Sequence, residues 1–396
     1  MSRDPKDVQI TGGVRRQLGI YLDGLTGKKP VVPVDMAELE GKAGEVMSPE
    51  GFAYVAGGAG VESTANANRK AFDRWRIVPR MLVDVSARDT SVELFGKTLP
   101  SPVLLGPIGV QEMAHEEADI ATARAAAEEG IPMIFSNQAS KPMEACAEAM
   151  GDSPRWFQLY WSKSDALNAS LVSRAQACGC SAIVVTLDTT MLGWRIRDLD
   201  LAYLPFLRGK GLAQYLTDPV FLASLKEPPE ENIMAAVQQF LATYSQPSLG
   251  WENISVLRDH TTLPLVLKGI LHPDDGRRAV DHGMDGVIVS NHGGRQVDGA
   301  IGALDALPGV VQAIRGKIPV LFDSGIRGGA DIFKALALGA KAACIGRPFV
   351  YGLAVAGQAG VQEVVRNMTA DFELTMGLAG CTSVAEITPE TIVRLD

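Results

Sequence analysis

The sequence contains few cysteines and no apolar run long enough to cross a membrane. Its five cysteines are scattered, and the close pair Cys178 and Cys180 has neither a second pair nor a neighbouring histidine to complete a metal site. No stretch approaches the roughly 18 consecutive apolar residues of a spanning helix. The first ten residues also lack the apolar core of a signal peptide. These absences predict a cytoplasmic protein with reduced structural thiols, no metal and no membrane partner.

Positively charged residues are also fewer than negatively charged ones. The 396 residues include 46 acidic side chains against 37 Lys and Arg, which gives a net charge of −9. Nucleic acids and anionic membranes both require a basic surface, so the charge balance argues against either as the main partner. The dinucleotide-binding pattern G-x-G-x-x-G is absent as well, which disfavours a doubly wound nucleotide fold.

The sequence does contain a rhythm of eight short apolar runs, each ending in a polar or glycine cluster. The runs are SPVLLGPIG (from Ser101), PMIFSNQ (Pro132), RWFQLYW (Arg155), AIVVTLD (Ala182), PLVLKG (Pro264), GVIVSNHGG (Gly286), PVLFDSG (Pro319) and AACIGRP (Ala342). Most are separated by Ala-rich stretches whose apolar residues recur every three or four positions, as in helices. Apolar strands that alternate with helices are parallel and covered by those helices. Eight such units predict an α/β fold, a closed (β/α)₈ TIM barrel rather than an open sheet.

Two segments fall outside this rhythm. Residues 1–100 are predicted to form helices followed by a hairpin, built from WRIVPRMLVDV and TSVELFGKTLP, which caps the barrel formed by residues 101–396. Residues 197–250 lengthen the connection between strands four and five far beyond an ordinary helix and two loops. Because this insertion follows the carboxyl end of strand four, we expect it to cover the active-site face as a lid or an oligomer contact.

The carboxyl ends of the eight strands carry polar and cationic side chains. In a barrel these ends point into one shared basin. In order they are Pro107, Ile108 and Gly109, Ser136 with Gln138, Gln158 with Tyr160, Thr186 with Asp188, Lys268, Ser290 with His292 and Arg295, Asp323 with Arg327, and Gly346 with Arg347. Surface charge does not usually sort in this way within an acidic protein, so this crown is predicted to be the functional site.

The last two strand ends share a phosphate-binding pattern. DSGIRGG and IGRP each place glycines and an arginine directly after a strand. Open glycine backbone donates N–H groups, and a helix N-terminus behind it adds positive partial charge. Phosphate sites after strands seven and eight recur in this fold. The alternative is that the glycines only make tight turns.

Lys268 and His292 each allow two interpretations. Lys268 could form a Schiff base, as in an aldolase, or stay protonated and neutralise negative charge on a ring system. Asp188 and Asp323 are possible counter-ions, and they favour the protonated form. His292 could be an ordinary core histidine. Its place at a strand end, before two glycines and Arg295, instead favours a general base that Asp188 orients.

Four motifs combine with compatible order and spacing. They are SNHGGRQVDG, KGILHPDDGRRAVDHGMDGVIV, FDSGIRGGADIFKALALGAKAACIGRP and FQLYW. Together they resemble the FMN-dependent α-hydroxy acid oxidases and dehydrogenases, from Phe52 to ELTMGLAGC near the C-terminus. Further features resemble the lactate 2-monooxygenase branch. They are the segments LGWRIRDL, PFLRG and YLTDPVF and a glycine at position 109, where many oxidases of the family have alanine.

The resemblance implies FMN as the cofactor and a role for each residue of the crown. The FMN ring would lie against Pro107, Ile108 and Gly109, with Lys268 near N1 and the C2 carbonyl. Further cofactor contacts are implied for Ser136, Gln158, Thr186 and Ser290 and, around the phosphate, for Asp323, Gly325, Arg327, Gly346 and Arg347. The substrate carboxylate would pair with Arg195 and Arg295, helped by Tyr54, while Tyr160 would bond near the reacting carbon's oxygen and Asp188 would support His292 as the base.

The implied reaction is the oxidation of an L-2-hydroxy acid with O₂. The monooxygenase-like features imply L-lactate 2-monooxygenase chemistry, in which the retained keto acid is decarboxylated and acetate, CO₂ and water result. The alternative is an oxidase or dehydrogenase that releases the keto acid and H₂O₂ from lactate, glycolate, mandelate or a larger acid. Gln138 stands where glycolate oxidase-like members have a tryptophan and the monooxygenase branch an aliphatic residue, so it leaves open which 2-hydroxy acid is the substrate but not the type of chemistry. A Schiff-base aldolase, or a barrel that only binds a phosphorylated ligand, is the hypothesis from another class.

Two further expectations follow from the resemblance. An alanine at position 109 should crowd the oxygen-facing side of the cofactor. The protein should assemble as a homotetramer or a homo-octamer, with contacts in the N-terminal region and the insertion.

Overall fold

The computed structural model describes residues 12–395. Its helices are α1 (Gly12–Gly24), α2 (Met36–Val46), α3 (Pro49–Ala56), α4 (Ser63–Asp73), α5 (Ala118–Glu129), α6 (Met143–Met150), α7 (Asp165–Ala177), α8 (Ile196–Asp200), α9 (Ala213–Leu216), α10 (Pro219–Ala223), α11 (Ile233–Thr243), α12 (Trp251–Val256), α13 (Pro273–Asp281), α14 (Ala303–Ile314), α15 (Gly329–Ala337) and α16 (Arg347–Leu378). Its strands are β1 (Trp75–Ile77), β2 (Val92–Leu94), β3 (Lys97–Leu99), β4 (Val103–Leu105), β5 (Met133–Phe135), β6 (Arg155–Tyr160), β7 (Ile183–Thr186), β8 (Leu265–Ile270), β9 (Gly286–Val289), β10 (Val320–Phe322), β11 (Ala342–Ile345) and β12 (Ile392–Arg394). Within this described part, no helix combines the length and the apolar character needed to cross a lipid bilayer.

Strands β4 to β11 form a closed parallel barrel in which each strand pairs with the next in chain order. Pairing of β11 with β4 closes the ring. These strands are the eight apolar runs predicted from the sequence, and most are buried along their whole length. A strand that packs against side chains inside the barrel and helices outside it must be apolar on both faces. The predicted (β/α)₈ barrel is confirmed.

The hairpin β2–β3 closes the N-terminal end of the barrel. Its turn residues Phe95 and Gly96 have φ of 50° and 73°, a left-handed pair typical of tight two-residue hairpins. The Phe95 ring lies 5.5 Å from the ring of Trp156 on β6, and Leu94 and Leu99 join the apolar cluster inside the barrel. The hairpin thereby fills the end of the barrel opposite the strands' carboxyl ends.

The sequence-based pairing of the two hairpin segments is wrong. The segment WRIVPRMLVDV contributes only β1, which pairs antiparallel with β12, so that Trp75 lies opposite Arg394. Both strands of the hairpin come from the second segment. The physical reason is the turn: Phe95-Gly96 divides VELFGKTL into two strands that are already long enough to pair with each other.

The insertion between β7 and β8 consists of short helices joined by loops. It comprises α8 to α12, and its buried aromatic residues pack together, with the Tyr215 and Phe240 rings 4.9 Å apart. Asp218 caps α10 and also forms an ion pair with Arg174 of α7 at 3.1 Å. This buried pair attaches the insertion to an outer helix of the barrel, so that the insertion lies over the face where the strands end.

Candidate active site

A cavity opens at the carboxyl ends of the barrel strands. It has a volume of about 1100 Å³, including the part open to solvent. Its lining includes the predicted site residues Tyr54, Pro107, Ile108, Gly109, Tyr160, Arg195, Lys268, His292, Arg295, Asp323, Gly325, Arg327, Gly346 and Arg347. Ser136, Gln158, Asp188 and Ser290 lie behind these residues and hydrogen-bond to them or to one another, and Thr186 lies beside Tyr160 and Lys268 in the sheet. The structure therefore brings the predicted set together around one space.

His292 and Asp188 form a hydrogen-bonded pair at the cavity wall. His292 Nδ1 lies 2.7 Å from Asp188 Oδ1. Burial lowers the pKa of His292 below its ordinary value, although Asp188 acts in the opposite direction. Burial also opposes ionisation of Asp188, but the charges of His292 and Lys268 hold its pKa at about 2. A neutral imidazole beside a carboxylate donates from Nδ1 and keeps a lone pair on Nε2, so the pair can act as a general base.

The backbone at His292 is held in an unusual conformation by Ser290 and by three residues that the sequence did not indicate, Asn68, Asn291 and Ser324. His292 has φ 57°, in the left-handed region that non-glycine residues seldom adopt. Its N–H donates to Ser290 Oγ at 3.1 Å, and the N–H of Gly293 donates to Ser324 Oγ at 3.0 Å. The preceding residue, Asn291, exchanges two amide hydrogen bonds, of 2.7 and 2.8 Å, with Asn68 of α4. These bonds fix the direction in which the imidazole points.

Lys268 is a protonated, buried amine. Its Nζ donates to Ser290 Oγ at 2.9 Å and lies 3.1 Å from Asp323 Oδ2. Burial alone would lower the pKa of Lys268, but Asp323 and Asp188 raise it above its ordinary value. A protonated amine is not nucleophilic, so the structure favours the electrostatic interpretation over the Schiff base.

Four arginines place uncompensated positive charge around the cavity. They are Arg195, Arg295, Arg327 and Arg347, and each makes hydrogen bonds. Among the described residues, none of the four has a carboxylate within ion-pair distance. Arg295 donates to the carbonyls of Tyr54 and Gly57, and its guanidinium lies 5.0 Å from the centre of the Tyr54 ring. Burial and the charge of Arg195 lower the pKa of Arg295. Buried or half-buried guanidinium groups that lack a carboxylate partner favour a bound anion, so these four can bind carboxylate or phosphate groups.

Three of the predicted cofactor residues lie beneath the cavity floor. Gln158 Oε1 accepts from the N–H of Asn137 at 3.1 Å, and Ser136 Oγ accepts from the N–H of Gln138 at 3.1 Å. Within residues 12–395, Gln158 Nε2 and Thr186 Oγ1 are buried without a hydrogen-bond partner. Leaving a buried polar group unsatisfied costs about 1–3 kcal/mol. The two groups are therefore available to a polar ring edge.

An aromatic wall from the insertion closes one side of the cavity. The ring of Phe206 lies 6.5 Å from that of Tyr54, edge-on, and 6.5 Å from that of Tyr244. Gln138 lines the cavity nearby and is buried. The sequence indicated that the insertion would cover this face, but nothing in its pattern distinguished Phe206 and Tyr244 from the other aromatic residues of the segment.

We expect Gly109→Ala to strain the contact with Gln138, and crowding of the oxygen-facing side of the cofactor stays a prediction from the sequence. An added Cβ would lie 2.9 Å from the carbonyl oxygen and 3.1 Å from the Cβ of Gln138. That carbonyl is held by the N–H of Val110 at 2.9 Å, so the overpacked variant should lose about 1–3 kcal/mol of unfolding free energy. Urea unfolding of the holoenzyme measures this loss. Gly41→Ala is the control, because a Cβ at this helical glycine meets nothing within 4 Å. Equal stability of both variants would contradict the account.

Comparison with known proteins identifies close similarity over nearly the whole chain. The family model described as FMN-dependent dehydrogenase matches residues 43–394. The chain is 45% identical over 377 residues to L-lactate oxidase of Lysinibacillus sphaericus (strain C3-41), covering 95% of this chain and 97% of that protein. It is 40% identical over 361 residues to 2-hydroxyacid oxidase 1 of Homo sapiens, covering 90% of this chain and 95% of that protein. A crystal structure of mandelate oxidase superposes with a TM-score of 0.81 at 37% identity, covering 92% of this chain and 99% of that chain.

Proposed function

The chain belongs to the FMN-dependent dehydrogenase family and is an FMN-dependent oxidoreductase acting on 2-hydroxy acids, and from this premise we propose that it is an L-lactate 2-monooxygenase. The proposed reaction converts L-lactate and O₂ into acetate, CO₂ and water. The observation that carries the proposal is that His292, Arg195 and Arg295 line the same cavity. A neutral base beside guanidinium groups matches a substrate that carries a carbinol beside a carboxylate.

The residues present fit FMN. Arg327 and Arg347 supply unpaired positive charge at the last two strand ends, and α16 begins directly after Gly346, so its N-terminus also favours a phosphate. Gln158 Nε2 and Thr186 Oγ1 are unsatisfied groups for the polar edge of the ring. FMN, when bound, accepts the two electrons that the carbinol carbon loses and delivers them to O₂. Lys268, at the same strand ends, would stabilise negative charge on the ring.

The substrate would be held by its carboxylate. Arg195 and Arg295 line the cavity together with the base, and a guanidinium fork pairs with a carboxylate through two parallel hydrogen bonds. Fixing the acid in this way also fixes the carbinol carbon, which is the positioning contribution to the rate. Burial raises the pKa of Tyr160 above its ordinary value, so its hydroxyl stays protonated and can donate to the substrate oxygen.

The base would be His292. Its Nε2 would accept the proton of the substrate hydroxyl, and the carboxylate of Asp188, 2.7 Å from Nδ1, would stabilise the imidazolium that forms. Lys268 keeps Asp188 ionised throughout, because the two charges lie in the same buried cluster. The proton is thus held at a defined atom while the carbinol carbon is oxidised.

The monooxygenase outcome depends on retention of the keto acid. Phe206 and Tyr244 of the insertion close one side of the cavity, and Arg195, which precedes α8, lies at the start of the same insertion. An enclosed keto acid that remains beside newly formed H₂O₂ would react with it: the O–O bond of the peroxide and the bond between the carboxylate and the keto carbon break, and acetate, CO₂ and water result. The ordered wall therefore favours retention over release.

A second candidate is an oxidase that releases its keto acid together with H₂O₂. Similarity to proteins named L-lactate oxidase and 2-hydroxyacid oxidase 1 favours it. Gln138 in the cavity lining further favours a substrate larger than lactate, with a polar side chain that can bond to the Gln138 amide.

Product analysis separates the two candidates. Purified holoenzyme is incubated with L-lactate in air, with D-lactate as the control, and acetate, pyruvate and H₂O₂ are quantified. Acetate formed in proportion to the O₂ consumed supports the monooxygenase. Stoichiometric pyruvate and H₂O₂ support the oxidase, and a panel of larger L-2-hydroxy acids then identifies the preferred side chain. If L-lactate reduces no flavin, lactate is excluded as a substrate.

The pH profile should report the lowered pKa of His292. The imidazole accepts a proton only when neutral, so kcat/KM should fall as the pH drops through this pKa. Because burial lowers that pKa below 6.5, activity should persist at pH 6.5 and be lost in more acid solution. Steady-state rates across the acid range measure the inflection. A profile that rises only above pH 6.5 would contradict the proposed state of the pair.

A further inference from the structure

Gln296 makes four hydrogen bonds to the loop that follows β7. Its Nε2 donates to the carbonyl of Asp188 at 2.7 Å and to that of Met191 at 2.9 Å. Its Oε1 accepts from the N–H of Gly193 at 3.3 Å and from Arg195 Nη2 at 3.1 Å. One half-buried amide thus binds the loop at four successive points.

This loop carries two of the proposed active-site residues and has no regular structure of its own. Residues 187–195 join β7 to α8 without helix or strand, and Met191 and Trp194 are exposed on its outer side. Asp188, the partner of His292, lies at one end, and Arg195, which lines the cavity, lies at the other. The loop therefore needs contacts from outside to keep its two ends in place.

The loop lies directly on the backbone that carries Gln296. A Cβ at Gly193 would be 2.6 Å from the carbonyl oxygen of Arg295 and 2.7 Å from that of Gln296, so only glycine allows this approach. Arg195 Nε also donates to the Arg295 carbonyl at 3.3 Å. The two guanidinium groups are thereby connected through the segment that Gln296 fixes.

Only an uncharged amide of this length satisfies all four partners. Two of them are carbonyl acceptors and two are N–H donors, so the side chain must donate at one end and accept at the other. A glutamate would accept from Arg195 but would face two carbonyl oxygens without a proton to donate. A methionine would fill similar space and make none of the four bonds.

We propose that Gln296 is a positioning residue that holds the 187–195 loop on the Arg295 segment and so sets Arg195 for binding of the substrate carboxylate. The part of this inference that concerns the carboxylate depends on the proposed function. The part that concerns the loop stands on the hydrogen bonds alone.

The test compares Gln296→Met and Gln296→Glu holoenzymes with the wild type in two measurements. The first is limited digestion with trypsin, scored for cleavage after Arg195 and Arg197. The second is the affinity for oxalate, a non-oxidisable acid, followed by the change in flavin absorbance. Gln358→Met is the matched control, because its amide bonds Glu128 between α16 and α5, far from the loop.

We expect both Gln296 variants to retain FMN and to be cleaved at the loop at least tenfold faster than the wild type. Oxalate should bind about tenfold more weakly to Gln296→Met. It should bind more weakly still to Gln296→Glu, whose carboxylate competes for Arg195. KM should rise by a larger factor than kcat falls. If Gln296→Met does not fold, Gln296→Glu carries the same comparison.

Wild-type cleavage and wild-type oxalate affinity in the Gln296 variants would overturn the proposal. Faster cleavage with unchanged oxalate affinity would overturn the assignment to carboxylate binding. If oxalate fails to bind the wild type itself, the proposed function fails, while the digestion still decides whether Gln296 holds the loop.

Discussion

Replacing His292 with alanine should lower turnover by about 10²–10⁴-fold while FMN remains bound. The loss is expected because no other neutral base lines the described cavity: Lys268 is protonated, and Asp188 lies behind the imidazole. FMN should remain because its phosphate is proposed to be bound by Arg327 and Arg347, and not by His292. Single-turnover reduction of the flavin under anaerobic conditions measures the effect on the oxidation step itself.

Two controls make the His292 result interpretable. His260→Ala removes an exposed histidine outside the cavity and should behave like the wild type. The absorbance spectrum of His292→Ala, recorded before substrate is added, establishes that the cofactor is loaded. Flavin reduction at the wild-type rate in a fully loaded His292→Ala variant would refute the assignment of the base.

Arg295→Lys should weaken substrate binding by about 10- to 100-fold. A hydrogen bond to a charged group is worth about 1.5–3 kcal/mol, and lysine cannot reproduce the planar fork that pairs with a carboxylate. Arg295 also donates to the carbonyls of Tyr54 and Gly57, and one ammonium group cannot serve these carbonyls and the substrate together. KM and the dissociation constant of oxalate should therefore both rise.

Arg197→Lys is the matched control for Arg295. Arg197 lies on α8 close to the same region, but its partner is Glu62 and its side chain is 43% exposed. We expect near-wild-type kinetics, because exposed ion pairs contribute about 0–1 kcal/mol. Unchanged oxalate affinity in Arg295→Lys would show that the carboxylate is bound elsewhere.

The barrel could be predicted because its signal is local. Each strand is a short apolar run, and the residue at its end reaches the shared basin whatever the details of packing. This rule predicted that Asp188, Lys268 and His292 lie close together, although they follow three different strands. The β1–β12 pairing could not be found in the same way, because it joins a strand before the barrel to a strand after it and has only three residues on each side.

The supporting residues could not be predicted because their roles arise from tertiary contacts. Asn68 and Asn291 are 223 positions apart and carry no pattern that connects them. In the sequence, Gln296 is an ordinary polar residue after Arg295. In the structure, its side chain hydrogen-bonds to four residues of another loop. The left-handed backbone at His292 and Ser324 is likewise invisible in composition. The cytoplasmic location and the homo-oligomeric assembly stay predictions from the sequence.

A crystal structure of the holoenzyme with pyruvate bound tests the central claim most directly, because it places the acid relative to the base and the two guanidinium groups. The account predicts that the carboxylate lies within hydrogen-bond distance of Arg195 and Arg295. It also predicts that the keto oxygen faces His292 Nε2 and the Tyr160 hydroxyl. A carboxylate bound away from both arginines, or an imidazole whose Nε2 points away from the acid, would contradict it.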